Sequence, residues 1–157
     1  MKTLILCLGN GLLGDDGIGI LAAGELKNEL GGRADIIATG LHGAALLDIP
    51  LGHRKVIVID AIYMTGFPPG SVIELNLDEL RTVMSPSPHY TGLPELILLA
   101  EQMQLDFPEE IKIFAVEVDN PYTVGKEMSS PVVRSLGKLI PCVKAYVDWW
   151  QNGTGYA

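Results

Sequence analysis

Three side chains in this sequence have the chemistry to share one cation. Asp16 lies in "GNGLLGDDGIG" (9–19), Asp60 in "KVIVIDA" (55–61) and His89 in "SPHYTGL" (87–93). Two carboxylates and one imidazole make a mixed oxygen and nitrogen donor set for a borderline divalent ion, with coordination positions left open. Each group also has a plainer reading. Asp16 can stabilise a first helical turn through the helix dipole, Asp60 can cap a turn, and His89 can be a loop histidine between Pro88 and Tyr90. The metal reading requires all three segments to meet.

The first loop carries a competing pattern. Gly9-x-Gly11-x-x-Gly14 matches a dinucleotide fingerprint. A phosphate loop, however, offers bare backbone N–H groups and a helix N-terminus to an anion. Asp15 and Asp16 put two negative charges at that spot. The fingerprint also needs an acid at the end of the second strand. Asp35 has nearly the right spacing but begins that strand, which closes in Ala38-Thr39-Gly40. The pattern is a decoy. Other hydrolase constellations are missing from the chain, which has neither G-x-S-x-G nor H-E-x-x-H. Cys7 sits inside an apolar run and reads as core rather than nucleophile. His53, in "LGHRK", reads as a solvated turn residue, and His42, in "TGLHG", lies nearer the expected crevice.

Positioning these residues is the task of alternating elements. "TLILCL" (3–8), "ADIIA" (34–38), "KVIVID" (55–60) and "IKIFAVEV" (111–118) are short, apolar and β-branched, as buried parallel strands are. "SVIEL" (71–75), after "FPPG", is expected to run antiparallel at an edge. Helices are expected at about 17–30, 43–50, 92–104 and 130–151. The last presents Val132, Leu136, Ile140, Val143, Val147 and Trp150 on one face. Ser129 and Ser130 can cap it, Pro131 suits its first turn, and Pro141 should kink it. The alternation predicts an α/β fold, a mostly parallel sheet with helices on both faces. Ligands of such sheets bind beyond the carboxyl ends of the strands. The loop 9–16, the turn 39–43, Asp60 and residues 117–120 all fall at that edge.

Bulk properties narrow the classes. The 157 residues form one domain, 1–157, with 48% hydrophobic residues and no repeat or linker. A net charge of −8 argues against nucleic acid, which needs a basic face. The six-residue apolar run at the start, followed closely by acids, reads as a buried strand rather than a leader. No run approaches the ~20 apolar residues of a membrane span. Cys7 and Cys142 both sit in apolar segments, as buried thiols of a reducing compartment do, so a cytoplasmic location is expected.

Four landmarks, in order, carry a family resemblance. "GNGLLGDDGIG" resembles the G-N-x-L-x-x-D-[DE]-G-x-G motif of the hydrogenase maturation endopeptidases. "VIVIDAIYMTGFPPGSV" resembles their strand ending in D-A and the glycine- and proline-containing hairpin after it. "SPHYTGLPELILLAEQM" is similar to their S-x-H-x-x-G-L segment, and "IKIFAVEVDNPYTVGKEMSSPVVRSL" to their last strand, loop and final helix. The resemblance spans essentially the whole chain. It implies an α/β/α sandwich around a five-stranded sheet. It also implies an endopeptidase that removes the C-terminal extension of a nickel–iron hydrogenase large-subunit precursor after nickel insertion. By resemblance Asp16, Asp60 and His89 become the catalytic, nickel-contacting trio, the nickel being carried by the precursor. Zinc or cadmium can take its place in a crystal. Asp15, Asn10 and the neighbouring glycines shape the loop. Nickel is left with two possible roles, docking signal or participant in the chemistry.

One turn departs from the family. Where many members have D-G-G-T-x-G after strand two, this chain has "ATGLHG" (38–43), which puts the identity of the precursor in question more than the chemistry. His42 is a further candidate neighbour of the metal. Two other classes stay open: a non-catalytic maturation chaperone that checks nickel loading, and a flavodoxin-like nucleotide binder. A monomer is expected, with the tail "DWWQNGTGYA" (148–157) leaving the assembly open.

Overall fold

The computed structural model of the chain describes residues 2–11, 14–41, 43–63, 66–76, 79, 99–119, 124–125 and 127–153. Five strands form one sheet: β1 (Thr3–Leu8), β2 (Ala34–Thr39), β3 (Lys55–Ile62), β4 (Val72–Asn76) and β5 (Glu110–Glu117). Their order across the sheet is β2-β1-β3-β5-β4. Every neighbouring pair is parallel except β4 with β5, which is antiparallel. The five strands expected from composition are all present, with β4 at the edge.

Burial follows from that order. β1 lies between two neighbours, is covered on both faces, and all six of its residues are buried. β2 is an edge strand, and Asp35, Ile37 and Ala38 are exposed. Alternation along the strands divides the core in two. Ile5, Cys7, Ile57, Ile59, Phe114 and Val116 face one side. Leu4, Leu6, Leu8, Val58, Ile62, Ile113 and Ala115 face the other.

The first side is covered by helices. α1 (Ile18–Leu30) buries Ile18, Ala22, Leu26 and Leu30, a four-residue spacing that makes one stripe. Gly31 ends it at φ 56°, its N–H donating to the Lys27 carbonyl. The C-terminal helical segment is two pieces, α2 (Ser130–Arg134) and α3 (Leu136–Asn152). α3 adds Leu139, Ile140, Val143, Tyr146 and Val147 to the same core. Tyr146 stacks edge-on against Phe114 of β5, Trp149 and Trp150, with centroids 5.8, 5.2 and 4.7 Å away.

Pro141 lies inside α3 without ending it. α3 runs through it, and the interruption falls at Ser135, whose hydroxyl donates to the Val132 carbonyl at 2.5 Å. A serine bonded back to its own preceding turn bends a helix. Gly137 stands four residues before Pro141, where the proline ring meets the preceding turn's carbonyl and wants room.

On the second side, the helix expected at 43–50 is only a 3-10 turn, Gly43–Leu46. A glycine at one end and Pro50 at the other leave under two turns of chain. Leu46 buries its side chain and Ile49 packs partly against the same core. Residues 99–102 are helical, Ala100 is fully buried and 103–104 form a turn, so the helix expected at 92–104 ends two residues early, while residues 92–98 lie outside the described residues. Among the described residues no helix is long and apolar enough to cross a membrane.

Candidate metal centre at the carboxyl edge

β1, β2, β3 and β5 are parallel, so their carboxyl ends share one edge. The chain leaves β1 there through Gly9–Gly11 and tightens into a 3-10 turn, Gly14–Gly17. This turn holds the loop against the strands at van der Waals limits. A Cβ on Gly9 would sit 2.3 Å from the Asp16 carbonyl oxygen, and one on Gly19 would sit 2.2 Å from that of Leu8. Only glycine permits both approaches. Of the three glycines in the fingerprint-like motif, Gly9 therefore serves packing and Gly14 takes a positive φ of 54°, while a Cβ on Gly11 would meet nothing within 4 Å.

Asp15 and Asp16 are 8% and 3% exposed, yet face different partners. Asp16 Oδ2 accepts the Asn10 N–H at 2.9 Å, closing the loop on itself. Asp15 accepts twice from one residue of the C-terminal segment. Its Oδ1 takes the Ser129 N–H at 2.6 Å and its Oδ2 takes the Ser129 hydroxyl at 2.9 Å. Ser129 does occupy the N-cap position of α2, but its side chain makes no capping bond to that helix. Its hydroxyl goes to Asp15 instead, which corrects the capping role expected from sequence. The adjacent acids are thus divided, Asp15 holding the C-terminal segment and Asp16 its own loop.

Asp60 is 0% exposed. It does not end its strand, because Ala61 and Ile62 continue the pairing with Val116 and Glu117 of β5. Asp60 Oδ1 accepts the Ala61 N–H at 2.7 Å, and Oδ2 is buried as well. Alternation puts Asp60 on the face of Val58 and Ile62, and the 3-10 turn that carries Asp16 touches β3. The two carboxylates thus come from elements in contact. Glu117, which ends β5 on the same face as Asp60, is also buried at 4% exposure and adds a third acid to this edge.

His89 and His42 lie outside the described residues. Among the described residues no group of three His, Cys, Asp or Glu side chains is placed to hold a metal ion. The donor chemistry of the described part nonetheless suits a cation. Asp16 and Asp60 bring hard oxygen donors to adjoining elements. Cys7 is excluded as a nucleophile: burial, the largest cause, pushes its thiol up to about 12, and the Asp60 charge adds to this against the opposing pull of Lys27.

His53 differs from its expected place. It is largely buried, with 19% of its side chain exposed, and its Nε2 lies 3.1 Å from Asp35 Oδ2. Asp35 is exposed at the start of β2 and attracts the ring across the sheet end, so His53 is part of a pair and not a solvated turn. Together with Lys27 and Gly31 these residues line a groove of about 390 Å³ at the β2 edge, remote from the carboxyl ends.

Fold and edge together define a class: an α/β domain with buried acids where its parallel strands end. A family model described as hydrogenase maturation protease matches residues 20–145, a span that includes Asp60 and begins after Asp16. The chain belongs to the hydrogenase maturation protease family. The hydrogenase 2 maturation protease of Escherichia coli strain K12 is 31% identical over 120 residues, 74% of this chain and 73% of that protein. The hydrogenase expression/formation protein HupD of Thiocapsa roseopersicina is 28% identical over 121 residues. That match takes in 74% of this chain but spans only about half, 54%, of the length of HupD. The solved structure of the hydrogenase maturating endopeptidase HybD from E. coli superposes with a TM-score of 0.79 at 23% identity, over 97% of this chain and 94% of that one, a likeness of fold.

Proposed function

We propose that this protein removes the C-terminal extension of a nickel–iron hydrogenase large-subunit precursor once nickel has been inserted, with the precursor's nickel as the signal it reads. The observation that supports this reading most is the burial of Asp16 and Asp60 on contacting elements at the carboxyl edge of a maturation-protease fold. The metal belongs to the substrate. Asp16, Asp60 and His89 are its contacts from this chain, two oxygens and one ring nitrogen, with positions left for the precursor's own ligands. A precursor without nickel offers these carboxylates no cation and is not held.

The chain needs no nucleophile of its own. A metal ion at the scissile bond lowers the pKa of water and polarises the carbonyl. A nearby carboxylate then takes the proton and returns it to the leaving amine. Asp16 holds its orientation through the Asn10 N–H and Asp60 through the Ala61 N–H. The reading also has the protein working in the cytoplasm, as a monomer.

Mass spectrometry of the precursor after incubation with this protein, nickel-loaded and nickel-free in parallel, tests the proposal. Loss of a C-terminal peptide from the loaded form alone is expected. Equal cleavage of both forms would remove nickel as the signal. A loaded precursor that is bound but keeps its mass would favour a non-catalytic chaperone.

A further inference from the structure

The segment Met128–Pro131 is clamped on two sides by the loops of the carboxyl edge. On one side Asp15 takes both the N–H and the hydroxyl of Ser129, at 2.6 and 2.9 Å, and the Met128 methyl lies against Gly17, 3.7 Å from where a Cβ would stand. On the other side Gly70, at φ 89°, lies under Pro131, so close that a Cβ there would be 2.4 Å from the Pro131 carbonyl oxygen. The Gly70 N–H in turn donates to the Glu117 carbonyl at 2.8 Å. The loops after β1, β3 and β5 are thereby tied to one point.

Within that knot Asp15 and Asp16 are consecutive in a single 3-10 turn. Three residues per turn set consecutive side chains roughly 120° apart. A turn with one face fastened to Ser129 therefore has the direction of its next side chain fixed. The Asp15 bonds are charge-assisted and engage both carboxylate oxygens, which sets a rotation as well as a distance.

We propose that Asp15 and Ser129 are positioning residues for Asp16: their paired hydrogen bonds set the rotation of the 3-10 turn and so aim the Asp16 carboxylate, while touching neither metal nor substrate. This deepens the functional reading above and rests on Asp16 being a contact of the precursor's nickel. The structural part stands separately, because the aim of Asp16 is reported by the Asn10 N–H that it accepts.

The test compares Ser129→Ala, Ser129→Thr and Asp15→Ala with the unaltered protein, at a temperature where circular dichroism shows all four folded. Hydrogen exchange of the Asn10 amide is the first reading. Ser129→Ala should lose ~10-fold of its protection and Asp15→Ala more, with Ser129→Thr close to the unaltered protein, as expected for one or two lost charge-assisted bonds. Unchanged Asn10 protection in both alanine variants would overturn the proposal. So would a loss that tracks global stability across all amides. The second reading is cleavage of nickel-loaded precursor. A misaimed carboxylate costs kcat, by ~10-fold in Ser129→Ala, with KM little changed and threonine restoring the rate. Unaltered kcat in variants whose Asn10 amide has loosened would also overturn it. If the unaltered protein cuts nothing, the endopeptidase reading fails, and Asn10 exchange alone decides whether Asp15 and Ser129 aim Asp16.

Discussion

Asp60 and Asp16 carry charge into positions where water has been removed, which makes their chemistry sensitive to single-atom changes. Asp60→Asn keeps the volume and can still accept the Ala61 N–H, so it should fold normally. It lacks the charge that a substrate cation needs, and cleavage of nickel-loaded precursor should fall at least ~100-fold, read as the rate of peptide release. Asp16→Ala should abolish cleavage while lowering the urea unfolding free energy by only ~1 kcal/mol, the scale of one lost hydrogen bond. His89→Gln should weaken cleavage too. Cys7 tests burial itself. Its folded pKa of about 12 lies above the ordinary value of 9.0. Below pH 9 both folded and unfolded thiols are protonated and the full stability is present. As pH rises from 9 towards 12 the unfolded thiol ionises first, and stability should drop by up to ~1.4 kcal/mol per unit. Urea midpoints of the unaltered protein and Cys7→Ala across that window measure the difference. The alanine variant should start lower and fall less steeply.

Elements decide whether a glycine is required or merely tolerated, and α1 contains both kinds. Gly19 is in the first turn, where a Cβ would meet the Leu8 carbonyl at 2.2 Å, whereas nothing lies within 4 Å of a Cβ on Gly24. Gly24→Ala should stabilise the fold by ~0.5–1 kcal/mol through helix propensity. Gly19→Ala should destabilise it by ~3 kcal/mol or more, since backbone of β1 must move. Thermal melts of the pair check this contrast, which helix propensity alone would not produce. The strands were the most legible elements, because a run buried on both faces is uniformly apolar and β-branched whatever its partners are. Helices at 43–50 and 130–151 were less so. Leu46, Ile49 and Pro50 look alike in sequence whether the segment coils once or three times. The break at Ser135 depends on a hydroxyl choosing the Val132 carbonyl, a choice among several that a serine has.

At the scale of the whole molecule, the ion pairs among the described residues gather away from the carboxyl edge. Arg54 with Glu109 and Lys55 with Glu110 pair at the amino ends of β3 and β5, and Lys2 and His53 flank Asp35 at the start of β2. Lys144 with Glu29 ties α1 to α3, and Arg33, in the 3-10 turn after α1, pairs with Asp148 of α3. Exposed pairs of this kind are worth little. Arg54→Ala should leave the unfolding free energy within ~0.5 kcal/mol. On the helical face the aromatic stack, set in an aliphatic core, contributes far more. Tyr146→Ala removes the ring that joins Phe114 to Trp149 and Trp150, and should cost ~3–5 kcal/mol by denaturant unfolding. The opposite edge, where the buried acids lie, carries none of those ion pairs.

Sequence by itself determined the α/β class, all five strands, the antiparallel edge strand and the carboxyl edge as the place to look. Those follow from local hydrophobic patterning and from the rule that parallel strands end together. It also singled out Asp16 and Asp60, since acids following apolar runs stand out against their neighbours. Tertiary structure decided what sequence could not: that of two adjacent, chemically identical acids Asp15 reaches a serine 114 residues away while Asp16 turns to Asn10, and that His53 pairs with Asp35. The physical reason is that a side chain's partner is set by the rotation and contact of whole elements, and nothing in the local sequence encodes the direction in which a turn faces.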